Sequence, residues 1–104
     1  MDIFTPPNLM IYKISILGAG SWGLAMAALL SENGHQVQVW EYDPHFLQGL
    51  NVSHANPALL PDLILPSSVT FTGDFAAVLA YQPDFLILAT PSQFLRATLQ
   101  KYQA

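Results

Sequence analysis

The chain has 104 residues, of which 52% are hydrophobic and 10% charged, so it can enclose one core and reads as a single compact domain. Its formal charge of −4 includes only three basic side chains, Lys13, Arg96 and Lys101, which leaves no electrostatic footprint for a nucleic acid or an anionic membrane. Cysteine is absent, which removes disulfides and thiol chemistry, and the longest apolar run, residues 24–30, is far below the roughly 18–20 residues of a membrane span.

Residues 1–10 carry Pro6 and Pro7 and no basic leader, so they read as a flexible tail ahead of a domain over 11–104, and the default location is cytoplasmic. The stretch "IYKISIL", residues 11–17, is mostly apolar and β-branched, as expected of a strand buried on both faces. Ser21 is the expected N-cap of a helix over "WGLAMAALLSEN", with Gly34 as its stop; so apolar a helix predicts burial all round. Residues 36–41, "QVQVWE", predict a second strand, and Asp43 beside Pro44 is placed to cap a short helix over 45–50.

Three prolines, Pro57, Pro61 and Pro66, predict an ordered apolar loop over residues 52–68. "VTFTG" then reads as a third strand, "DFAAVLA" as a short helix capped by Asp74, "DFLILATP" as a fourth strand and "SQFLRATLQKYQ" as a final helix. The order βαβαβαβα implies parallel pairing through right-handed crossovers. The expected fold is therefore a Rossmann-like α/β architecture, a doubly wound parallel sheet in order 3-2-1-4. A complete dinucleotide fold adds strands beyond the fourth, so the chain is expected to be a fragment of a longer protein. Its "FLILA" edge, residues 85–89, is then exposed and prone to homo-oligomerisation.

The motif Gly18-Ala19-Gly20-Ser21-Trp22-Gly23 lies between a strand and a helix, the context in which GxGxxG signifies a dinucleotide site. Gly18 permits the tight turn, Gly20 lets a pyrophosphate approach the backbone, and Gly23 lets the helix pack against the strand. The helix start offers unpaired N–H groups to the anion, so a chain with three basic residues can still bind a nucleotide. The plainer alternative is that the glycines only shape a corner. Glu41 lies 21 positions after Gly20, near the roughly 20-residue spacing of a carboxylate that accepts from the adenosine ribose, which favours NAD over NADP. Its alternative is a solvated charge at a strand end.

The segments "ILGAGSWGLAMAALLSENGHQVQVWEYDP", "NPALLPDLILPSSV" and "DFLILATPSQFLR" together closely resemble the amino-terminal domain of NAD(P)-dependent glycerol-3-phosphate dehydrogenase, over residues 11–96. The resemblance implies that Ser21 and Trp22 line the pyrophosphate, that Phe94 is an aromatic near the cofactor, and that Pro91 lies on the nicotinamide side. Tyr42 occupies a position where many members place an arginine for the adenosine phosphate; its departure here again favours NAD(H). The implied reaction is reversible hydride transfer between the nicotinamide and carbon two of glycerol 3-phosphate or dihydroxyacetone phosphate. The proton-transferring lysine of the family belongs to a separate helical domain, so no catalytic residue is assigned here and the chain by itself is expected to be inactive.

Lys13 begins the first strand at the wrong edge and Lys101 lies late in the last helix. His35, His45 and His54 are expected to be solvated or locally bonded, and no metal site is expected. Two other readings stay open from the residues alone. One is a free-standing NAD(H)-sensing module, the other the cofactor domain of a different two-domain dehydrogenase.

Overall fold

A computed structural model of the chain describes residues 10–89 and residue 100. Apart from Gln100, the expected final helix lies outside the described residues, as do Pro91 and Phe94. Within them the elements are β1 (Lys13–Leu17), α1 (Ser21–Glu32), β2 (Gln36–Trp40), α2 (Pro44–Ser53), β3 (Thr70–Thr72), α3 (Phe75–Tyr81) and β4 (Phe85–Leu88). The strands form one sheet in the order β3-β2-β1-β4 with every pair parallel, as the alternation of strands and helices requires.

The period of two sorts the strands' side chains onto two faces. On one face Ile14, Ile16, Val37 and Val39 cluster with Leu24 and Ala27 of α1, Leu50 of α2 and Phe71 of β3. On the other, Leu17 and Trp40 pack with Phe75 and Val78 of α3. Helices therefore cover both faces, the doubly wound arrangement, and each fully buried Leu, Ile or Val contributes about 1.5–3 kcal/mol relative to an exposed one. Ser15 is a polar exception in the middle of β1: it is fully buried and its hydroxyl donates to Gln38 Oε1 at 3.3 Å across the β1–β2 pair.

Helix termini follow the local code closely. After α1, the Gly34 N–H donates to the Ser31 carbonyl at 3.0 Å and the His35 N–H to the Leu30 carbonyl at 3.1 Å, a Schellman ending that Gly34 permits with φ of 91°. Asp43 and Asp74 cap α2 and α3 through their carboxylates, which accept from the backbone of His45 at 2.8 Å and Ala76 at 2.9 Å. Pro44 stands at the first position of α2, where its missing N–H costs nothing.

Several sequence expectations are corrected. Ser21 is not the cap of α1: Gly20 is, in extended conformation and without a side-chain bond, and Ser21 is the first helical residue. The helix is not buried all round either, because Trp22, Ala25 and Leu29 follow one another along a face turned to solvent while Gly23, Leu24 and Ala27 face the sheet. Helix α2 runs past the expected end at Leu50 to Ser53, since nothing breaks it until His54 turns left-handed at φ 54°. The three-proline loop that follows is tied by a bridge between Ala55 and Ile64 and by the bond from Leu65 N–H to the His54 carbonyl at 2.8 Å. Among the described residues strand β4 is an edge of the sheet, opposite β3, and Phe85, Leu86 and Leu88 are each about half exposed on it.

Candidate functional site

The loop from β1 into α1 lies at the carboxyl ends of the strands, where open α/β sheets hold their ligands. It is anchored from both sides. Gly18 N–H donates to the Trp40 carbonyl at 2.8 Å, and Ala89 N–H donates to the Leu17 carbonyl at 2.8 Å, so the ladders to β2 and β4 persist to the last residue before the turn.

The three glycines of the turn differ in what the fold demands of them. Gly18 adopts φ of 122°, a conformation that L side chains rarely take. At Gly23 an added methyl group would collide with the Gly18 carbonyl oxygen and would lie 3.4 Å from the Ala89 Cβ, so helix and strand approach too closely for any side chain. Gly20 meets neither requirement: its φ is −73° and an added Cβ would find nothing within 4 Å. The corner would form with another residue there. The empty space over Gly20 abuts the start of α1, whose early N–H groups on Ser21, Trp22 and Gly23 precede the first helical bond, from Leu24 N–H to the Gly20 carbonyl at 2.9 Å. No acidic residue stands in that first turn to oppose an anion. The residues present thus fit a pyrophosphate, with an open approach over Gly20 and a helix start aimed at it.

Glu41 occupies the place the spacing gave it, immediately after β2, but it is not a solvated charge. It is 9% exposed, and its carboxylate accepts from the Ala19 N–H at 3.0 Å through Oε1 and from the Asp43 N–H at 2.8 Å through Oε2. A carboxylate has about four acceptor positions, more than these two bonds use. Ala19 as Glu41's partner is the contact that sequence reading missed; spacing located the carboxylate, but nothing in the pattern pairs it with a backbone group of the glycine turn. Trp22 and Tyr42 border the site as exposed rings, 63% and 53% accessible, and Tyr42 stands edge-on to Trp40 with ring centroids 6.5 Å apart.

The histidines lie elsewhere. His35 Nδ1 accepts from the Tyr12 N–H at 3.1 Å at the opposite end of the sheet, His54 Nε2 lies 3.0 Å from the Val69 carbonyl, and His45 is exposed at the start of α2. Among the described residues no group of three or more His, Cys, Asp or Glu is placed to hold a metal ion, and no helix is long and apolar enough to cross a membrane.

A parallel sheet ordered 3-2-1-4, with a glycine turn opening onto a helix start and a carboxylate closing the second strand, defines a dinucleotide-binding domain of the Rossmann class. The family model for the N-terminus of NAD-dependent glycerol-3-phosphate dehydrogenase matches residues 13–104, and the chain belongs to that family. Among its relatives is a glycerol-3-phosphate dehydrogenase (NAD(P)+) of Enterococcus faecalis, 39% identical over 92 residues that make up 88% of this chain and 27% of that protein. The Bacillus velezensis protein of the same name is 39% identical over 86% of this chain and 26% of its own length. The crystal structure of glycerol-3-phosphate dehydrogenase from Coxiella burnetii superimposes with a TM-score of 0.67 at 34% identity, covering 74% of this chain and 24% of the other. The chain therefore spans about a quarter of the length of the relatives it matches.

Proposed function

We propose that the chain is the NAD(H)-binding part of a glycerol-3-phosphate dehydrogenase, which interconverts sn-glycerol 3-phosphate and dihydroxyacetone phosphate by hydride transfer. One observation carries the reading. Gly20 is a glycine that neither backbone conformation nor packing requires, and the space it leaves lies against the start of α1. A structural corner has no use for that space, whereas a pyrophosphate does.

In this reading Gly18, Gly20, Ser21, Trp22 and Gly23 hold the pyrophosphate, through backbone N–H groups and the open approach, and the exposed Trp22 ring walls it. Glu41 accepts from the adenosine ribose and repels a 2′-phosphate, and Tyr42 offers an aromatic face rather than a cation; NAD(H) is thereby favoured over NADP(H). Outside the described residues, the family resemblance assigns Pro91 to the nicotinamide side and Phe94 to an aromatic position near the cofactor. A bound nicotinamide supplies the hydride donor or acceptor. The residues of this chain bind and orient it, and the acid–base group and the cationic phosphate site of the substrate lie outside residues 1–104. A cytoplasmic location and self-association through the β4 edge, where Leu86 and Leu88 are half exposed, complete the proposal.

Parallel fluorescence titrations with NADH and NADPH test it. The chain is expected to bind NADH saturably and more tightly than NADPH, and to give no steady-state oxidation of NADH with dihydroxyacetone phosphate. Equal NADH affinity in wild type and Gly20→Ala would overturn the assignment of the site, and turnover by the 104-residue chain would overturn the placement of the catalytic groups.

A further inference from the structure

The buried carboxylate of Glu41 joins two turns that the cofactor site needs at once. Through Oε1 it holds Ala19, in the middle of the glycine turn, at 3.0 Å; through Oε2 it holds Asp43, which caps α2, at 2.8 Å. We infer that Glu41 is a positioning residue: its side chain clips the pyrophosphate turn to the turn that carries Tyr42, and so sets the geometry of both halves of the adenosine-diphosphate site before any ligand arrives. This inference rests on the proposed NAD(H) site and adds to Glu41 a role that a ribose contact alone does not contain.

Glu41 is 9% exposed, and a carboxylate so far removed from water needs fixed donors to remain in place. Two backbone N–H groups provide them, and hydrogen bonds to an ionised acceptor are shorter and stronger than neutral ones. The Ala19 N–H is thereby committed to the protein, so the turn is held in one conformation while the N–H groups of Ser21, Trp22 and Gly23 stay directed toward the ligand. Preorganisation of this kind raises affinity by removing ordering costs from the binding step. Gln at position 41 keeps one acceptor but sets its NH2 against the other N–H, so it can hold one of the two turns and not both.

The test separates clip from ribose contact. Affinities of wild type, Glu41→Ala and Glu41→Gln are measured for NADH and for the NADH analogue whose adenosine ribose is 2′-deoxy, beside amide hydrogen exchange of the ligand-free proteins. The clip predicts that Glu41→Ala weakens both ligands by about tenfold, with Glu41→Gln in between. It further predicts faster exchange at Ala19 and Asp43 with unchanged exchange at Ala27, which a general loss of stability would also accelerate. A loss seen with NADH that vanishes with the 2′-deoxy analogue, or unchanged exchange at Ala19, would overturn it. If wild type binds neither ligand, the cofactor reading fails and the exchange measurement alone decides the clip.

Discussion

The two ends of the parallel sheet treat their polar groups in opposite ways. At the amino-terminal end the protein satisfies itself: the Lys13 N–H donates to Asp84 Oδ2 at 2.8 Å, the Tyr12 N–H donates to His35 Nδ1 at 3.1 Å, and the Lys13 ammonium lies 4.4 Å above the Tyr81 ring. Partial burial there pushes the Tyr81 phenol above its ordinary 10.0. At the carboxyl-terminal end one carboxylate, Glu41, organises the backbone from behind, and the start of α1 faces open space over Gly20 with Trp22 and Tyr42 exposed beside it. The first end is a set of closed pairs, and the second leaves helix-start N–H groups facing open space. That contrast, more than the glycine pattern, supports the proposed site.

The contrast can be broken most severely at Gly23, where the fold itself depends on the missing side chain. Gly23→Ala drives a methyl group into the Gly18 carbonyl and should destabilise by about 3 kcal/mol or more, by overpacking and forced separation of helix from strand. Urea denaturation measures it, and a loss below about 1 kcal/mol would mean that α1 can slide away from β1 cheaply. Gly20→Ala is the matched experiment. Stability should change by no more than about 1 kcal/mol, since nothing lies within 4 Å of the new Cβ, while NADH affinity falls about tenfold or more. If both variants behaved alike, the distinction between structural and ligand-facing glycines would collapse.

Trp22 sharpens the same contrast at smaller cost. Its ring is 63% exposed, so Trp22→Ala should unfold within about 0.5 kcal/mol of wild type and yet bind NADH several-fold more weakly. Unchanged binding would reduce the indole to one more member of the apolar face it shares with Ala25 and Leu29.

How legible these features are in the sequence depends on the range of the interaction behind them. Asp43 and Asp74 cap the helices they precede, and Gly34 ends α1, because a cap is decided within three or four residues. Strand order 3-2-1-4 is readable for a different reason: alternation and crossover handedness leave few arrangements. Three things escape. The true cap of α1 is Gly20, because a Ser at the next position carries the same propensity and only the backbone path decides between them. The exposed stripe of α1 is invisible where the composition is apolar on every side, since periodicity has no contrast to report. The bond between Ala19 and Glu41 spans 22 residues and joins a carboxylate to a backbone group, which has no side-chain signature at all.

The smallest effect is expected at the closed end, and its smallness is what gives it value. Lys13→Met removes an ammonium from the Tyr81 ring and leaves the backbone bond to Asp84 intact, because that bond uses the Lys13 N–H. Lys13 and Tyr81 are both half-buried, and a cation–π contact that water still reaches contributes about 0.5–1 kcal/mol, so stability should fall by about that much. NADH affinity should not change, although one of only three basic residues in a chain of charge −4 has been lost. A general electrostatic attraction for the anionic cofactor would predict weaker binding, with greater salt sensitivity. Binding that is indifferent to Lys13 and sensitive to Gly20 assigns anion recognition to backbone donors at one end of the sheet, whereas a loss at Lys13 would return it to net charge.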